Sequence, residues 1–264
     1  MNGIVYQVTG NGYEPKLFLS IWSLRRYYNG PVTVFYGGSD DRKMKRFCRK
    51  VPGIRVCSVS DPIANLSENL VEHHKHMLAK PATVLQSDYN KTIYLDADTT
   101  IHGRISTLFN FNLAFIPLWN PKTNRTMLLN DNVSKSSIRR RKLARLSERF
   151  PSIQPWIKKC SELNIPYVNS GVFVISRDHP MVREWALACL TCRDVGLDDE
   201  LFLAVVMVNW LDQIAFLGTE WNTIHQFNKD FGKRIIWHQN SRRWERSESR
   251  WRLYRQMEAD IGRL

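Results

Sequence analysis

The chain has no long hydrophobic run. The longest, Leu201 to Val208, is eight residues, less than half of the ~20 that a membrane-spanning helix requires. Nothing in its opening resembles a secretory leader, because Met1-Asn2-Gly3 passes directly into the strand-like Ile4-Val5-Tyr6-Gln7-Val8. Cysteine is scarce and odd in number. The five residues, at positions 48, 57, 160, 189 and 192, do not form a disulfide framework, and Cys189-Leu190-Thr191-Cys192 is a single CxxC with no partner pair, read as a plain helix face. Internal repeats and low-complexity segments are absent too. With a hydrophobic share of 43%, extensive disorder is excluded. These absences lead to the expectation of a protein of the reducing cytoplasm, with attachment to a membrane surface or to nucleic acid left open.

What the chain does have is positive charge, +13 in 264 residues. Residues Arg139–Arg149 hold six Arg/Lys against one Glu, and Arg242–Arg255 hold six Arg against two Glu. Such clustering fits either a solvated basic face or a polyanionic partner: nucleic acid, an acidic glycan or an anionic membrane surface.

Residues 1–117 alternate strand and helix signals. The strand at Ile4–Val8 is followed by the turn-rich Thr9-Gly10-Asn11-Gly12-Tyr13 and a helix entered through Pro15, with Leu17, Ile21, Leu24 and Tyr28 on one stripe. Gly30-Pro31 ends that helix before a strand at Val32–Tyr36. A basic helix near 40–49, a strand near 54–59, a helix near 67–79, a segment near 82–87 and a further strand near 111–117 complete the half. This order predicts an α/β fold, Rossmann-like, with a mostly parallel central sheet flanked by helices. Residues 119–165 are polar, basic and punctuated by proline; they read as a lid or acceptor-facing insertion. Strand signal returns at Val172–Ile175, helices follow near 179–190 and 199–210, and short strands near 214–217 and 234–237. A C-terminal helix over 245–263 carries Trp251 and Tyr254. One domain over 1–264 is expected, with a first half over 1–117 and a second over 118–264.

The chemistry-bearing motif is Ile93-Tyr94-Leu95-Asp96-Ala97-Asp98. If the strand continues through it, alternation puts both carboxylates on one face, at the carboxyl end of a buried strand where open α/β sheets bind ligands. Paired hard oxygen donors there suggest a divalent cation, and the cation suggests phosphate. His73, His74 and His76 lack acidic or cysteine partners beyond Glu72 and read as a solvated helix face. Asp96-Ala97-Asp98-Thr99-Thr100 also fits the DxDxT start of haloacid-dehalogenase-type phosphatases, with Asp96 as nucleophile and Asp98 as acid/base. That motif belongs on the first strand of its domain, whereas here a βαβα half precedes it.

Thr92–Thr99 followed by Ile101 resembles the DxD segment of GT-A fold glycosyltransferases, and most closely glycosyltransferase family 8, the glycogenin-like enzymes. Other landmarks follow in the family's order. Val8-Thr9 with Tyr13 resembles the nucleotide-holding strand and loop, and Ser23-Leu24-Arg25-Arg26 the SLR helix. Lys80 stands where a basic residue near the diphosphate is common. Asn169-Ser170-Gly171-Val172 resembles the element that touches the donor sugar, and Asp199-Glu200 sits at a usual Asp-Gln pair. Trp221-Asn222 and Ile236-Trp237-His238 resemble the last two, His238 being a metal ligand. The tail departs from the pattern: after His238 comes Gln239-Asn240-Ser241-Arg242-Arg243-Trp244, so Arg242 or Arg243 would replace the family's diphosphate-contacting lysine.

The resemblance implies transfer of a sugar from a nucleoside diphosphate, UDP being the expected nucleotide, with retention at the anomeric carbon. Asp96, Asp98 and His238 are the implied metal ligands, and imidazole beside carboxylates favours Mn²⁺ over Mg²⁺. Val8, Thr9, Tyr13, Lys80, Asp96, Ala97, Asp98, Ser170, Gly171, Trp221 and Asn222 are the expected donor-binding residues. Asp199, Glu200 and Asn169 are the expected catalytic ones, Asp199 first, facing the cationic sugar of the transition state. The acceptor is read as a glycan or lipid-linked saccharide, or as a hydroxylated base of modified DNA reached through the two basic stretches. A module that binds nucleotide sugar or nucleic acid without turnover is the non-enzymatic alternative.

Overall fold

The computed structural model describes residues 1–9, 12–37, 41–58, 72–120, 123–129, scattered positions from 141 to 151, and 154–191, 199–224, 234–238 and 248–262. Strands β1 (Asn2–Thr9), β2 (Val32–Gly37) and β3 (Ile54–Ser58) are joined by helices α1 (Glu14–Arg25) and α2 (Asp41–Lys50). Helix α3 (Glu72–Leu85) leads to β4 (Lys91–Leu95), β5 (Thr99–Ile101) and β6 (Leu113–Pro117). A small hairpin of β7 (Trp119–Asn120) and β8 (Arg125–Thr126), then α4 (Gln154–Glu162), precede the long β9 (Val168–Ser176). Helices α5 (Pro180–Thr191) and α6 (Asp199–Met207), strands β10 (Ala215–Phe216), β11 (Thr223–Ile224) and β12 (Ile236–His238), and helix α7 (Glu248–Ile261) complete the chain.

Seven strands form the main sheet in the order β10-β6-β9-β4-β1-β2-β3. Every pairing is parallel except those of β9, which runs against both β4 and β6. Alternate residues of each central strand feed opposite faces. Val5, Tyr94, Phe115 and Phe173 enter one core layer with Trp185 of α5 and Phe202 of α6. Ile4, Tyr6, Ile93, Leu95, Val172 and Val174 enter the other, with Leu17 and Ile21 of α1, Phe47 of α2 and Met257 of α7. Burial on both faces is why these strands read as almost unbroken apolar runs.

Helix α3 is one helix where the sequence suggests a break. Proline lacks the N–H that a helix interior requires, yet Glu72–Leu85 continues through Pro81. Packing supplies the reason: Ala79, Ala82, Thr83 and Val84 are buried, so tertiary contact overrides the local preference. The side chains of His73, His74 and His76, and most of the basic stretch 139–149, lie outside the described residues. So do residues 239–247, with Arg242, Arg243 and Trp244. Part of the 119–165 insertion is tied to the body, since Leu128 bridges Pro166 and Trp156 and Ile157 of α4 pack on the first core layer. On α7, Trp251 is 48% exposed, and the buried side is formed instead by Leu253, Tyr254, Met257 and Ile261. Among the described residues no helix is long and apolar enough to cross a membrane.

A second, three-stranded sheet, β11-β12-β5, was not anticipated from the sequence. It pairs His238 of β12 opposite Thr99 of β5, next to Asp98. This pairing brings a residue from near the C-terminus to the end of β4.

Candidate active site

Strand β4 stops at Leu95, and Asp96 to Asp98 lie in the turn before β5. The two carboxylates therefore do not share a face through strand alternation, as the sequence suggested; they converge because the turn folds them together. Backbone bonds pin that turn at both ends: Asp96 N–H donates to Gly171 O (2.8 Å), and Thr99 N–H donates to Asp96 O (3.2 Å). Thr99 Oγ1 also donates to Asp96 O (2.8 Å) and meets Ser20 Oγ of α1 at 2.9 Å. The SLR segment is architectural. Ser23 Oγ accepts from Ile101 N–H, and Arg25 donates to the carbonyls of Tyr28, Gly30 and Gly53.

Around the turn is a cavity of about 200 Å³. Of the expected site residues, Val8, Thr9, Tyr13, Lys80, Asp96, Ala97, Asp98, Asn169, Ser170, Glu200 and His238 all line it. Asp199 does not; it is 0% exposed. Trp221 is half-buried against the second core layer, and Asn222 is buried behind His238. Gly171 contributes space: a Cβ there would collide with His238 Cε1 and come within 2.6 Å of Asp96 Oδ2. Gln7 and Tyr94 also line the cavity and were missed. The signal for Gln7 was present, since it is the one polar interruption of a buried apolar strand.

Asp96, Asp98 and His238 each offer a ligand atom within 4.8 Å of the others. His238 Nε2 lies 3.1 Å from Asp98 Oδ1 and 3.6 Å from Asp96 Oδ2. Burial disfavours charge on Asp98, but the His238 imidazolium and its hydrogen bond outweigh that and pull the carboxyl down to about 2. Burial likewise opposes protonation of His238, and Asp98 and Asp96 overcome it, so its pKa is raised. Three convergent donors with the open volume that Gly171 leaves are the right set for a divalent cation, two carboxylates balancing its charge.

Lys80, 7% exposed, enters from the Pro81-containing helix. Its Nζ donates to Ser170 Oγ (2.9 Å) and lies 3.2 Å from Asp96 Oδ1 and 3.3 Å from Asp199 Oδ2. Burial works against the ammonium, but Asp199 and Asp96 more than compensate, holding its pKa well above the ordinary lysine value. Asp199 also accepts from Ser170 Oγ (2.6 Å). Lys80 thus orients Asp96 from one side and is itself held by Asp199 from the other. Glu200 is the carboxylate of this pair that reaches the cavity, fixed by Tyr167 Oη (2.7 Å) and Asn169 Nδ2 (2.6 Å), both donating to it.

The model of the glycosyl transferase family 8 sequences matches residues 44–245, most of the chain. The chain belongs to glycosyltransferase family 8. Solved structures agree in fold. The galactosyltransferase LgtC, in complex with donor and acceptor sugar analogs, superposes with a TM-score of 0.65 at 12% identity, covering 99% of this chain and 97% of that one. Mouse xyloside xylosyltransferase 1 has a TM-score of 0.58 at 13% identity over 91% and 98%. The glycosyltransferase GlyE of Streptococcus pneumoniae TIGR4 has 0.57 at 13% over 98% and 62%. No curated protein sequence matches the chain. The family 8 member is accordingly a glycosyltransferase of GT-A fold, as the ordered motifs implied, and the phosphatase alternative is set aside.

Proposed function

We propose that this family 8 chain is a cation-dependent hexosyltransferase that moves a sugar from UDP to a hydroxyl acceptor with retention. The observation that carries the reading is the convergence of Asp96, Asp98 and His238 in the same cavity as Lys80 and Glu200. The first three would hold the cation, and the imidazole among them favours Mn²⁺ over Mg²⁺. Such an ion, when bound, supplies Lewis-acid stabilisation of the departing diphosphate and a template for it. Val8 and Thr9, at the carboxyl end of β1, and Tyr13, at the start of α1, are positioned to hold the nucleotide. Lys80 has its donor directions occupied by Ser170, Asp96 and Asp199, so it orients Asp96 and adds positive potential rather than gripping phosphate directly.

On the sugar side Glu200 takes the role first expected of Asp199. Its carboxylate faces the cavity and is held by two donors, so its negative charge is preorganised for a transition state with oxocarbenium character. For the acceptor we propose a saccharide on an anionic carrier, because α7 exposes Trp251 with Arg252 and Arg255 on the same helix. Retention of the protein on anionic vesicles, weakened by salt and by Trp251→Ala, supports that carrier; equal retention on neutral vesicles opposes it.

The test of function is a panel of labelled sugar nucleotides offered to wild-type protein with Mn²⁺, to wild-type protein with EDTA, and to Asp98→Ala. Donor cleavage or transfer confined to the first, with product of unchanged anomeric configuration, is the expected result. Equal rates in all three reject cation dependence, and an inverted product rejects retention.

A further inference from the structure

Two asparagines stand between Glu200 and the imidazole of the cation cluster, and their hydrogen bonds form one continuous chain. Chemistry fixes the direction of every link. Gly171 N–H can only donate, and it donates to Asn169 Oδ1 at 2.9 Å. Asn169 Nδ2 therefore faces Glu200 Oε1, a carboxylate oxygen that can only accept. The same Asn169 Oδ1 accepts from Asn222 Nδ2 at 3.0 Å. Asn222 Oδ1 is then the atom 3.0 Å from His238 Nδ1, and a carbonyl oxygen cannot donate. The proton of that bond must sit on Nδ1. Nε2 is therefore the nitrogen that gives up its proton when the ring becomes neutral, and its lone pair then lies on the side of Asp98 Oδ1 and Asp96 Oδ2. Asn169, Asn222 and His238 are all buried, so exchange of these partners for water is disfavoured.

We propose that Asn222, oriented by Asn169, is a positioning residue that holds His238 as the Nδ1–H tautomer and aims Nε2 at the cation, so that it sets affinity for the divalent ion without touching it. This rests on the reading of Asp96, Asp98 and His238 as a cation site. It also gives Asn169 a different duty from the sugar contact suggested by sequence, since both ends of its amide are taken by Gly171, Asn222 and Glu200. Partners beyond the ligand shell of this kind commonly change metal affinity by about 10–100-fold.

The experiment titrates Mn²⁺ into wild-type, Asn222→Leu and Asn222→Asp proteins and reads His238 in the Zn²⁺-loaded wild type by long-range ¹⁵N–¹H NMR. Asn222→Leu removes the acceptor and is expected to weaken Mn²⁺ binding by about 10–100-fold. Asn222→Asp keeps an oxygen facing Nδ1 but loses the donor to Asn169 Oδ1, and it is expected to bind Mn²⁺ more tightly than Asn222→Leu, a rescue that a merely space-filling role would not give. The spectrum is expected to show Nδ1 protonated and Nε2 bound to the ion. Unchanged affinity in a folded Asn222→Leu protein, or a proton found on Nε2, overturns the proposal while leaving the cation site intact. Should Asn222→Leu not fold, the wild-type spectrum still decides it. Wild-type protein that takes up no ion overturns the cation reading itself, which is a separate failure.

Discussion

At the scale of single residues, the site is a balance between His238 and two carboxylates, and protons would compete for it with the cation we propose. His238 has a raised pKa, so the stability it contributes to the metal-free protein is full below its ordinary value and is lost as pH rises through the folded one. Asp98 is depressed to about 2, so its contribution is present above the ordinary carboxylate value and is lost as pH falls through about 2. Metal-free protein therefore gains most from this pair in the mildly acidic range between the ordinary carboxylate and imidazole values. Metal binding must displace the His238 proton, so Mn²⁺ affinity should rise from about pH 6 to about pH 8, with proton release measurable by calorimetry in buffers of different ionisation enthalpy. An affinity flat across that range would show that His238 is not a ligand. Gly171→Ala should abolish Mn²⁺ binding while leaving the far-ultraviolet circular dichroism unchanged, because the added methyl occupies the space between His238 and Asp96. The aspartates were legible in the sequence because their adjacency is local. The division of labour between Asp199 and Glu200 was not, since it depends on which of two neighbours at the start of a helix points to Lys80 and which to the cavity.

At the scale of elements, the turn holding Asp96 and Asp98 is only as firm as the helix behind it. Thr99 Oγ1 ties Asp96 O to Ser20 of α1, Thr99 and Ser20 both being buried. Thr99→Val keeps the shape and removes one hydrogen bond from that carbonyl and one from the Ser20 hydroxyl. Asp96 O keeps the backbone N–H of position 99 and Ser20 Oγ keeps Tyr6 Oη, so the change should cost about 0.5–1.5 kcal/mol in chemical denaturation while lowering cation affinity. Met257 at 0% exposure anchors α7 on α1, and Met257→Ala should cost about 2–5 kcal/mol, read as a lowered unfolding midpoint with little effect on Mn²⁺ affinity. Helices and parallel strands of the first half were legible from periodicity and from turn residues such as Gly30-Pro31. The exceptions are instructive. Helix α3 passes through Pro81 because burial of Ala79, Ala82 and Val84 outweighs the missing hydrogen bond, and only that continuity delivers Lys80 to the cavity. The small β11-β12-β5 sheet was invisible because two- and three-residue strands carry almost no local pattern.

At the scale of the whole molecule, the fold gathers a site from six stretches: β1, α3, the end of β4 with the turn to β5, β9, the start of α6, and β12. A single antiparallel strand makes this work. Since β9 runs against β4, its first residues, Asn169 to Gly171, lie beside the end of β4. Sequence order alone, through resemblance to family 8, was what linked His238 to the aspartates; no physical feature of Ile236-Trp237-His238 could have done so. The positive charge of +13 is a property of the whole chain as well; among the described residues it surfaces at Arg42, Lys43, Lys45, Arg46 and Arg49 of α2 and, beside the exposed Trp251, at Arg252 and Arg255 of α7.

The most direct test is an anomalous difference map, recorded at the manganese edge, from crystals soaked in Mn²⁺ and UDP. The account predicts one strong peak within bonding distance of Asp96, Asp98 and His238 Nε2, and its disappearance in Asp98→Ala crystals. A map with no peak there, or with manganese held elsewhere while those three side chains stay paired to each other, would contradict it.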